Sequence, residues 1–193
     1  MAISFEQANA MVKKELSQKR YTHTLNVKNM AVELANKYGA DPQKAAMAAI
    51  LHDSLKERPK EELLQMLKEN AIMAGDALSS PPPVWHGPCA AIAARREWGI
   101  EDEEILNAIW CHTTGRPGMT KLDKILYLSD MISAERDYPE VEELRMLAKK
   151  DLDEAIRTAV RYNVDWIRQT GKPVDPISLK TLEYLEKEEN SDE

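Results

Sequence analysis

The chain has 193 residues and is 43% hydrophobic, which is enough for a substantial core in one domain. Its formal net charge of -7, with no basic stripe to offset it, argues against a nucleic-acid-binding protein. No apolar run approaches the ~20 residues that a transmembrane helix needs. Cys89 and Cys111 are too few for a disulfide framework or a thiolate zinc site, so we expect both to be buried, reduced thiols. We expect a single cytoplasmic domain over residues 1–193, with no leader peptide and no membrane or nucleic-acid partner.

Apolar residues at helical spacing predict a helical first half of the chain. A helix near residues 19–38 carries His23 on its apolar face, by the three- and four-residue spacing. The third helix is expected to end in His52-Asp53. The helical pattern weakens over residues 69–83, where Ser79-Ser80-Pro81-Pro82-Pro83 is expected to be irregular and to border a site. Helix N-caps are predicted at Ser4, Asp41, Asp102, Thr120, Asp151 and Asp175.

The second half of the chain shows the same helical pattern and adds three more inward polar groups. His86 is expected at the entrance of a helix over residues 89–98. His112 ends the apolar face of the next helix, and Asp130 extends the apolar face of the helix that follows. Further helices are expected over residues 139–188. Because no segment alternates with the period of a strand, the sequence predicts an all-α fold of about nine helices.

The pair His52-Asp53 ends a run of small and apolar residues. An unpaired carboxylate in apolar surroundings is costly, and coordination to a metal is one way to compensate it. Imidazole nitrogen and carboxylate oxygen together suit Zn, Fe or Mn. Taken alone, however, the pair is better explained by a His–Asp hydrogen bond at an ordinary helix end.

Six side chains share this inward, helix-end character, and together they favour a metal. Burying each one separately would need a separate partner, whereas one metal centre would serve them all. Six such groups exceed what one tetrahedral ion takes, which suggests two ions bridged by a carboxylate. The six are His23, His52, Asp53, His86, His112 and Asp130.

These residues lie within motifs that resemble the YqeK family of the HD domain superfamily, over a motif core of about residues 17–140. The motifs are Arg20-Tyr21-x-His23-Thr24-Leu25, His52-Asp53-x-x-Lys56-Glu57, Trp85-His86-Gly87, His112-Thr113-Thr114-Gly115 and Leu122-Asp123-Lys124-Ile125-Leu126-Tyr127-Leu128-x-Asp130. The resemblance implies an HD-domain-like helical bundle that hydrolyses diadenosine tetraphosphate symmetrically to two ADP. It also implies two divalent transition-metal ions, iron first, with Mn, Co or Zn also suited to the ligands.

The resemblance also implies a role for each matching residue. His23, His52, Asp53 and Asp130 would hold one metal, and His86 and His112 the second, with Asp53 bridging. Catalysis would depend on Asp53, Lys56 and Arg136, and substrate contacts would come from Arg20, Lys56, Arg136, the Thr113 hydroxyl and the Gly115 backbone N–H. Arg116 and Lys121 are weaker candidates, and for every base the alternative is a solvated surface charge.

Two features of the sequence leave alternatives open. The helix that holds Asp130 has Ser129 where the family usually has alanine. The loop after it carries Ser133-Ala134-Glu135 where the family tends to have Glu-Pro-Gly, so its effect on the substrate side is open. Another HD phosphohydrolase, acting on a nucleoside mono- or triphosphate or a guanosine alarmone, would use the same metals. A nucleotide-binding regulatory module is the non-enzymatic alternative, and a homodimer is the assembly considered.

Overall fold

The computed structural model describes residues 2–189 of the protein, and this part contains helices and no strands. The all-α prediction is therefore confirmed. The α-helices of the described residues are α1 (Phe5–Glu15), α2 (Gln18–Tyr38), α3 (Pro42–Leu51), α4 (Lys60–Glu69), α5 (Ala71–Ala74), α6 (His86–Arg96), α7 (Glu103–Cys111), α8 (Lys121–Ile132), α9 (Val141–Ala148), α10 (Leu152–Gln169) and α11 (Pro176–Glu189). Two short 3-10 helices, Gly75–Ser79 and Pro82–Val84, precede α6.

The described residues thus form eleven α-helices rather than the expected nine or so. One of the additional helices is α5, which lies where the helical pattern of the sequence weakens. Residues 79–83, which we expected to be irregular, overlap the two 3-10 helices. Helix α6 also starts three residues earlier than predicted, so that His86 is its first residue and not its approach. Two local hydrogen bonds form here, because the backbone N–H groups of Val84 and Trp85 donate to the carbonyls of Pro81 and Pro82. Proline lacks an N–H but keeps its carbonyl as an acceptor.

Helix starts follow the capping residues that the sequence predicts. Ser4 and Thr120 each form a complete capping box, with Gln7 and Asp123 as the reciprocal partners. The aspartates predicted as N-caps each accept hydrogen bonds from backbone N–H groups of the first helical turn. Short side-chain hydrogen bonds of this kind are local, which is why the sequence alone was enough to place these helix starts.

The packing of five helices brings the inward polar groups to one place. Helix α2 packs against α3 and α8, and α7 packs against α3, α6 and α8. Their shared core is aliphatic, and its fully buried members include Leu34, Leu51, Ile109 and Leu126. Burial of these side chains, worth roughly 1.5–3 kcal/mol each, holds the helix ends in register. Among residues 2–189, none of the helices combines the length and apolar character that crossing a bilayer requires.

Candidate metal centre

Of the six side chains predicted as metal ligands, five surround the sixth, Asp53, which lies in the turn directly after α3. His23 comes from α2, His86 starts α6 and Asp130 lies in the last turn of α8. His52 and His112 are the C-cap residues of α3 and α7. All four histidines and Asp53 are buried, and Asp130 is partly exposed. The structure therefore brings together ligands from distant parts of the chain, of which His23 and Asp130 are 107 positions apart.

Asp53 faces a different set of partners with each of its two oxygens. Its Oδ1 atom lies 3.2 Å from Nε2 of His86 and 3.6 Å from Nε2 of His112. Its Oδ2 atom lies 3.7 Å from Nε2 of His23 and 3.6 Å from Nε2 of His52. The His23 Nε2 atom is also 3.0 Å from Oδ1 of Asp130. A carboxylate placed in this way can bridge two ions held by separate groups of imidazoles.

In three of the four histidines the Nδ1 nitrogen is hydrogen-bonded to a backbone carbonyl. The Nδ1 atoms of His52, His86 and His112 lie 2.6, 3.0 and 2.7 Å from the backbone carbonyl oxygens of Ala49, Pro83 and Ile109. An N–H at Nδ1 donates to each carbonyl, so the lone pair of Nε2 faces Asp53. Metal-ligating histidines are typically oriented by such a hydrogen bond.

Several buried nitrogen atoms at the centre of the cluster fit a bound cation. Nε2 of His52 is buried and has no hydrogen-bond partner among the described residues, and the buried Nε2 of His23 faces the carboxylates of Asp130 and Asp53. The Nε2 atoms of His86 and His112 lie only 3.1 Å apart, although both present lone pairs. The residues form two groups, and within each group the possible ligand atoms all lie within 4.8 Å of one another. One group is His23, His52 and Asp130, and the other is His52, Asp53 and His112. This donor set of neutral nitrogen and carboxylate oxygen fits a divalent transition metal.

The electrostatics favour the protonation states that ligands require at His52, His86, Asp53 and Asp130. At His23 burial acts to lower the pKa, but the contacts with Asp130 and Glu135 outweigh it and raise the pKa. Burial lowers the pKa of His52 and that of His86 to about 4, so both imidazoles are neutral at pH 7. Burial alone would raise the pKa of Asp53, but the surrounding imidazoles, His52 first, hold it well below its usual range. Burial alone would raise the pKa of Asp130, but the hydrogen bond with His23 and the charge of nearby Arg136 hold it well below its usual range. Both carboxylates are therefore ionised.

Three basic side chains that we predicted to contact substrate lie beside the cluster. Arg20 Nη1 donates to Oδ2 of Asp53 at 2.9 Å. Arg136 donates from Nη2 to Oδ1 of Asp130 at 2.6 Å and from Nε to the backbone carbonyl of Asp130 at 2.8 Å. Lys56 Nζ lies 3.2 Å from Nε2 of His86, and burial lowers the pKa of this lysine. None of the three is an isolated surface charge.

The loop after His112 contains a hydrogen bond that we did not expect. The Gly115 N–H, predicted to face a phosphate, donates to the backbone carbonyl of Cys111 at 2.8 Å, and its contact with substrate stays a prediction. Gly115 is needed for its shape, because its φ is +65° and an added Cβ would lie 2.6 Å from Cγ2 of Thr181. The Thr113 hydroxyl is buried and has no hydrogen-bond partner among the described residues, so it remains a candidate for substrate contact.

The two weaker basic candidates have structural partners. Arg116 pairs with the fully buried Asp123, with Nη2 and Nε at 2.7 and 2.9 Å from Oδ2. Lys121 Nζ donates to the backbone carbonyl of Tyr38 at 2.8 Å. Both side chains therefore stabilise the fold of the loop and of α8.

A cavity of about 650 Å³ runs along the groove between α6 and α7, next to the cluster. Its wall includes Thr113, Pro88 and the aromatic ring of Trp110, but none of the six predicted ligands. Its volume is within the roughly 300–1,000 Å³ typical of small-molecule sites. Cys111 and Thr113, on either side of His112 in sequence, belong to this wall, and Pro88 follows His86 by two residues, so the cavity adjoins that half of the cluster.

Sequence reasoning missed the partner of His23. The Nδ1 atom of His23 contacts Oε1 of Glu135, whose Oε2 accepts from Nδ2 of Asn26 at 2.7 Å. Asn26 lies three residues after His23 and therefore on the same face of α2, which is a signal that could have been noticed. Glu135 gives no such signal, because it reaches α2 only through the packing of α8.

Comparison with known proteins places the chain in a class. The model of the HD domain family matches residues 20–135, which include five of the helices that build the cluster. The chain therefore belongs to the HD domain family.

Within that family, the similarity extends over nearly the whole length of individual relatives. A Bacillus subtilis (strain 168) protein named symmetrical bis(5′-nucleosyl)-tetraphosphatase is 43% identical over 180 residues, which cover 93% of this chain and 96% of the relative. A Staphylococcus aureus protein of the same name is 34% identical, with 94% of each chain covered. A crystal structure of a predicted HD superfamily hydrolase involved in NAD metabolism, from Clostridium acetobutylicum, is 32% identical with a TM-score of 0.92, covering 97% of this chain and 100% of that one. The resemblance drawn from the motifs is thus confirmed.

Proposed function

We propose that this protein is a metal-dependent hydrolase that cleaves diadenosine tetraphosphate symmetrically into two molecules of ADP. The observation that carries the proposal is the arrangement of Asp53, whose two oxygens face separate pairs of histidine nitrogens. The names of the full-length relatives support the choice of substrate. Within this proposal residues 1–193 act as a single cytoplasmic domain, and a homodimer is the assembly to be tested by sedimentation.

The proposed centre holds two divalent transition-metal ions, iron first. His23, His52, Asp53 and Asp130 would hold one ion, and His86, His112 and the second oxygen of Asp53 the other. Bound there, the metals would supply Lewis-acid chemistry for the attack of water on a phosphoryl group. The buried, apolar surroundings of the cluster strengthen every charge interaction within it.

The basic side chains complete the proposed site. Lys56, Arg136 and Arg20 surround the cluster from three elements, so they are placed to neutralise the charge that develops on the phosphate oxygens. The Thr113 hydroxyl would add one hydrogen bond from the loop after His112. A nucleoside attached to this phosphate would extend into the cavity lined by Trp110.

A substrate comparison tests the proposal. The purified protein, supplied with iron or manganese, is incubated with diadenosine tetraphosphate, ATP, AMP and guanosine tetraphosphate, and a chelator-treated sample is the control. We expect turnover of the dinucleotide alone, and loss of that turnover with chelator. Rapid phosphate release from a mononucleotide, without turnover of the dinucleotide, would contradict the proposal and favour another HD phosphohydrolase. Binding without turnover of any nucleotide would favour a regulatory module.

A further inference from the structure

The contact between Glu135 and His23 differs from the hydrogen bonds that hold the other three histidines. His52, His86 and His112 are each held by a backbone carbonyl, whereas His23 is held by a carboxylate. That carboxylate is itself fixed, because Oε1 accepts from the Ser133 hydroxyl at 2.8 Å and Oε2 accepts from Asn26 at 2.7 Å. Glu135 is thus built into a network and is not a loosely placed surface charge.

A carboxylate has two effects on an imidazole that a carbonyl has to a lesser degree. Its charge-assisted hydrogen bond holds the proton on Nδ1 more firmly, so that the lone pair stays on Nε2. It also increases the electron density of the ring and hence its strength as a metal ligand. In this structure the Nε2 atom so prepared lies 3.0 Å from Oδ1 of Asp130 and 3.7 Å from Oδ2 of Asp53.

We propose that Glu135 is a positioning residue that orients His23 and strengthens it as a metal ligand, with Ser133 and Asn26 holding its carboxylate. This inference rests on the metal-binding part of the proposed function and not on the identity of the substrate. It also gives a role to the segment Ser133-Ala134-Glu135, whose effect on the site the sequence left open.

A purely structural role for Glu135 would be to tie the segment after α8 to α2. That segment has a second, independent anchor in Arg145, whose Nη2 donates to the backbone carbonyls of Ser133 and Arg136 at 2.7 and 3.1 Å. Removing the Glu135 carboxylate therefore leaves the segment anchored, and an effect on metal binding can be separated from an effect on the loop.

The test is the affinity of the full-length, metal-stripped protein for Co²⁺, measured by calorimetry and by the visible absorption of the bound ion. Three variants are compared with the wild type: Glu135→Ala, Glu135→Gln and Asn26→Ala. We expect Glu135→Ala to weaken Co²⁺ binding roughly 10- to 100-fold, the range found for such supporting residues. Glu135→Gln, which keeps an acceptor without the charge, should lie between Glu135→Ala and the wild type. Asn26→Ala, which removes one of the two hydrogen bonds that hold the carboxylate but leaves the Ser133 bond and the contact with His23, should weaken Co²⁺ binding less than Glu135→Ala does.

Two results would overturn the inference. One is unchanged Co²⁺ affinity in Glu135→Ala, or in Glu135→Gln if the alanine variant does not fold. The other is an equal loss in Asn26→Ala, which would assign the effect to the loop. Because the measurement uses the metal alone, it is independent of nucleotide turnover. Failure of the protein to hydrolyse diadenosine tetraphosphate would contradict the proposed function and leave this result standing.

Discussion

Asp53 is the residue on which the proposed centre depends most. Since its two oxygens face separate pairs of histidines, replacing the carboxylate removes a ligand from both groups at once. We expect Asp53→Asn to lose both equivalents of metal, and His86→Ala to lose mainly one. Elemental analysis after purification without chelator measures this, with Asp76→Asn, an exposed acid outside the cluster, as the control. Two equivalents of metal in Asp53→Asn would rule out a bridging role.

Variants of Lys56 and Arg136 test whether these two side chains contact the phosphate of the substrate. Each lies within hydrogen-bond distance of a proposed ligand and carries a positive charge. Truncating Lys56 should lower kcat/KM roughly 10- to 100-fold, since a charge stabiliser is lost. The Arg136→Lys variant should lose less, because it keeps the charge but not the forked contact with Asp130.

The readout for these two variants is steady-state kinetics with the metal content determined on the same samples. Lys60→Ala, an exposed lysine at the start of α4, is the matched control and should behave as wild type. Unchanged kinetics in both Lys56→Ala and Arg136→Lys, with normal metal content, would contradict a role for these side chains in binding phosphate.

At the scale of elements, the loop between α7 and α8 is packed against the start of α11. Gly115 has φ +65° with Thr181 Cγ2 within 2.6 Å of an added Cβ, whereas Gly39 has φ +66° and open space around it. Gly39→Ala should therefore cost only the backbone strain, about 1 kcal/mol. Gly115→Ala should cost a further 1–3 kcal/mol, roughly, from the steric clash.

Urea denaturation of the metal-free protein measures both variants. Thr181→Ser removes Cγ2, so the double variant Gly115→Ala/Thr181→Ser should recover part of the extra loss. Equal stability of Gly39→Ala and Gly115→Ala would show that the loop is not held against α11 in the way that the structure describes.

The groove between α6 and α7 is the element-scale feature that we connect with the nucleoside. Stacking of a base on an aromatic ring is worth about 1–3 kcal/mol, so Trp110→Ala should raise KM for the dinucleotide about 5- to 100-fold. Trp110→Phe should keep most of the affinity, and Trp166→Ala, an exposed tryptophan on α10, is the control. An unchanged KM in a folded Trp110→Ala variant would place the nucleoside elsewhere.

At the scale of the whole molecule, the sequence predicted the features that depend on local or periodic patterns. N-caps such as Asp41 and Asp102 were correct because each depends on residues two or three positions away. Inward placement of His23 and His112 was correct because a buried helix face repeats every three to four residues.

The features that the sequence did not predict depend on tertiary contacts. The hydrogen bond from Gly115 to Cys111 spans only four residues, but the turn that forms it also depends on the packing of Gly115 against Thr181. The pairing of Arg116 with Asp123 and the contact of Glu135 with His23 join elements whose relative position comes from packing. The number of helices was underestimated because α5 is a single turn without a cap or a periodic pattern.

The central claim, symmetric cleavage, is tested most directly by the fate of solvent oxygen. A single turnover of diadenosine tetraphosphate is carried out in water enriched in ¹⁸O, and the products are separated and weighed by mass spectrometry. Symmetric cleavage predicts ADP as the sole product, with one ¹⁸O atom on the β-phosphate of one of every two ADP molecules. AMP together with ATP would contradict symmetric cleavage, whichever of the two products carried the label.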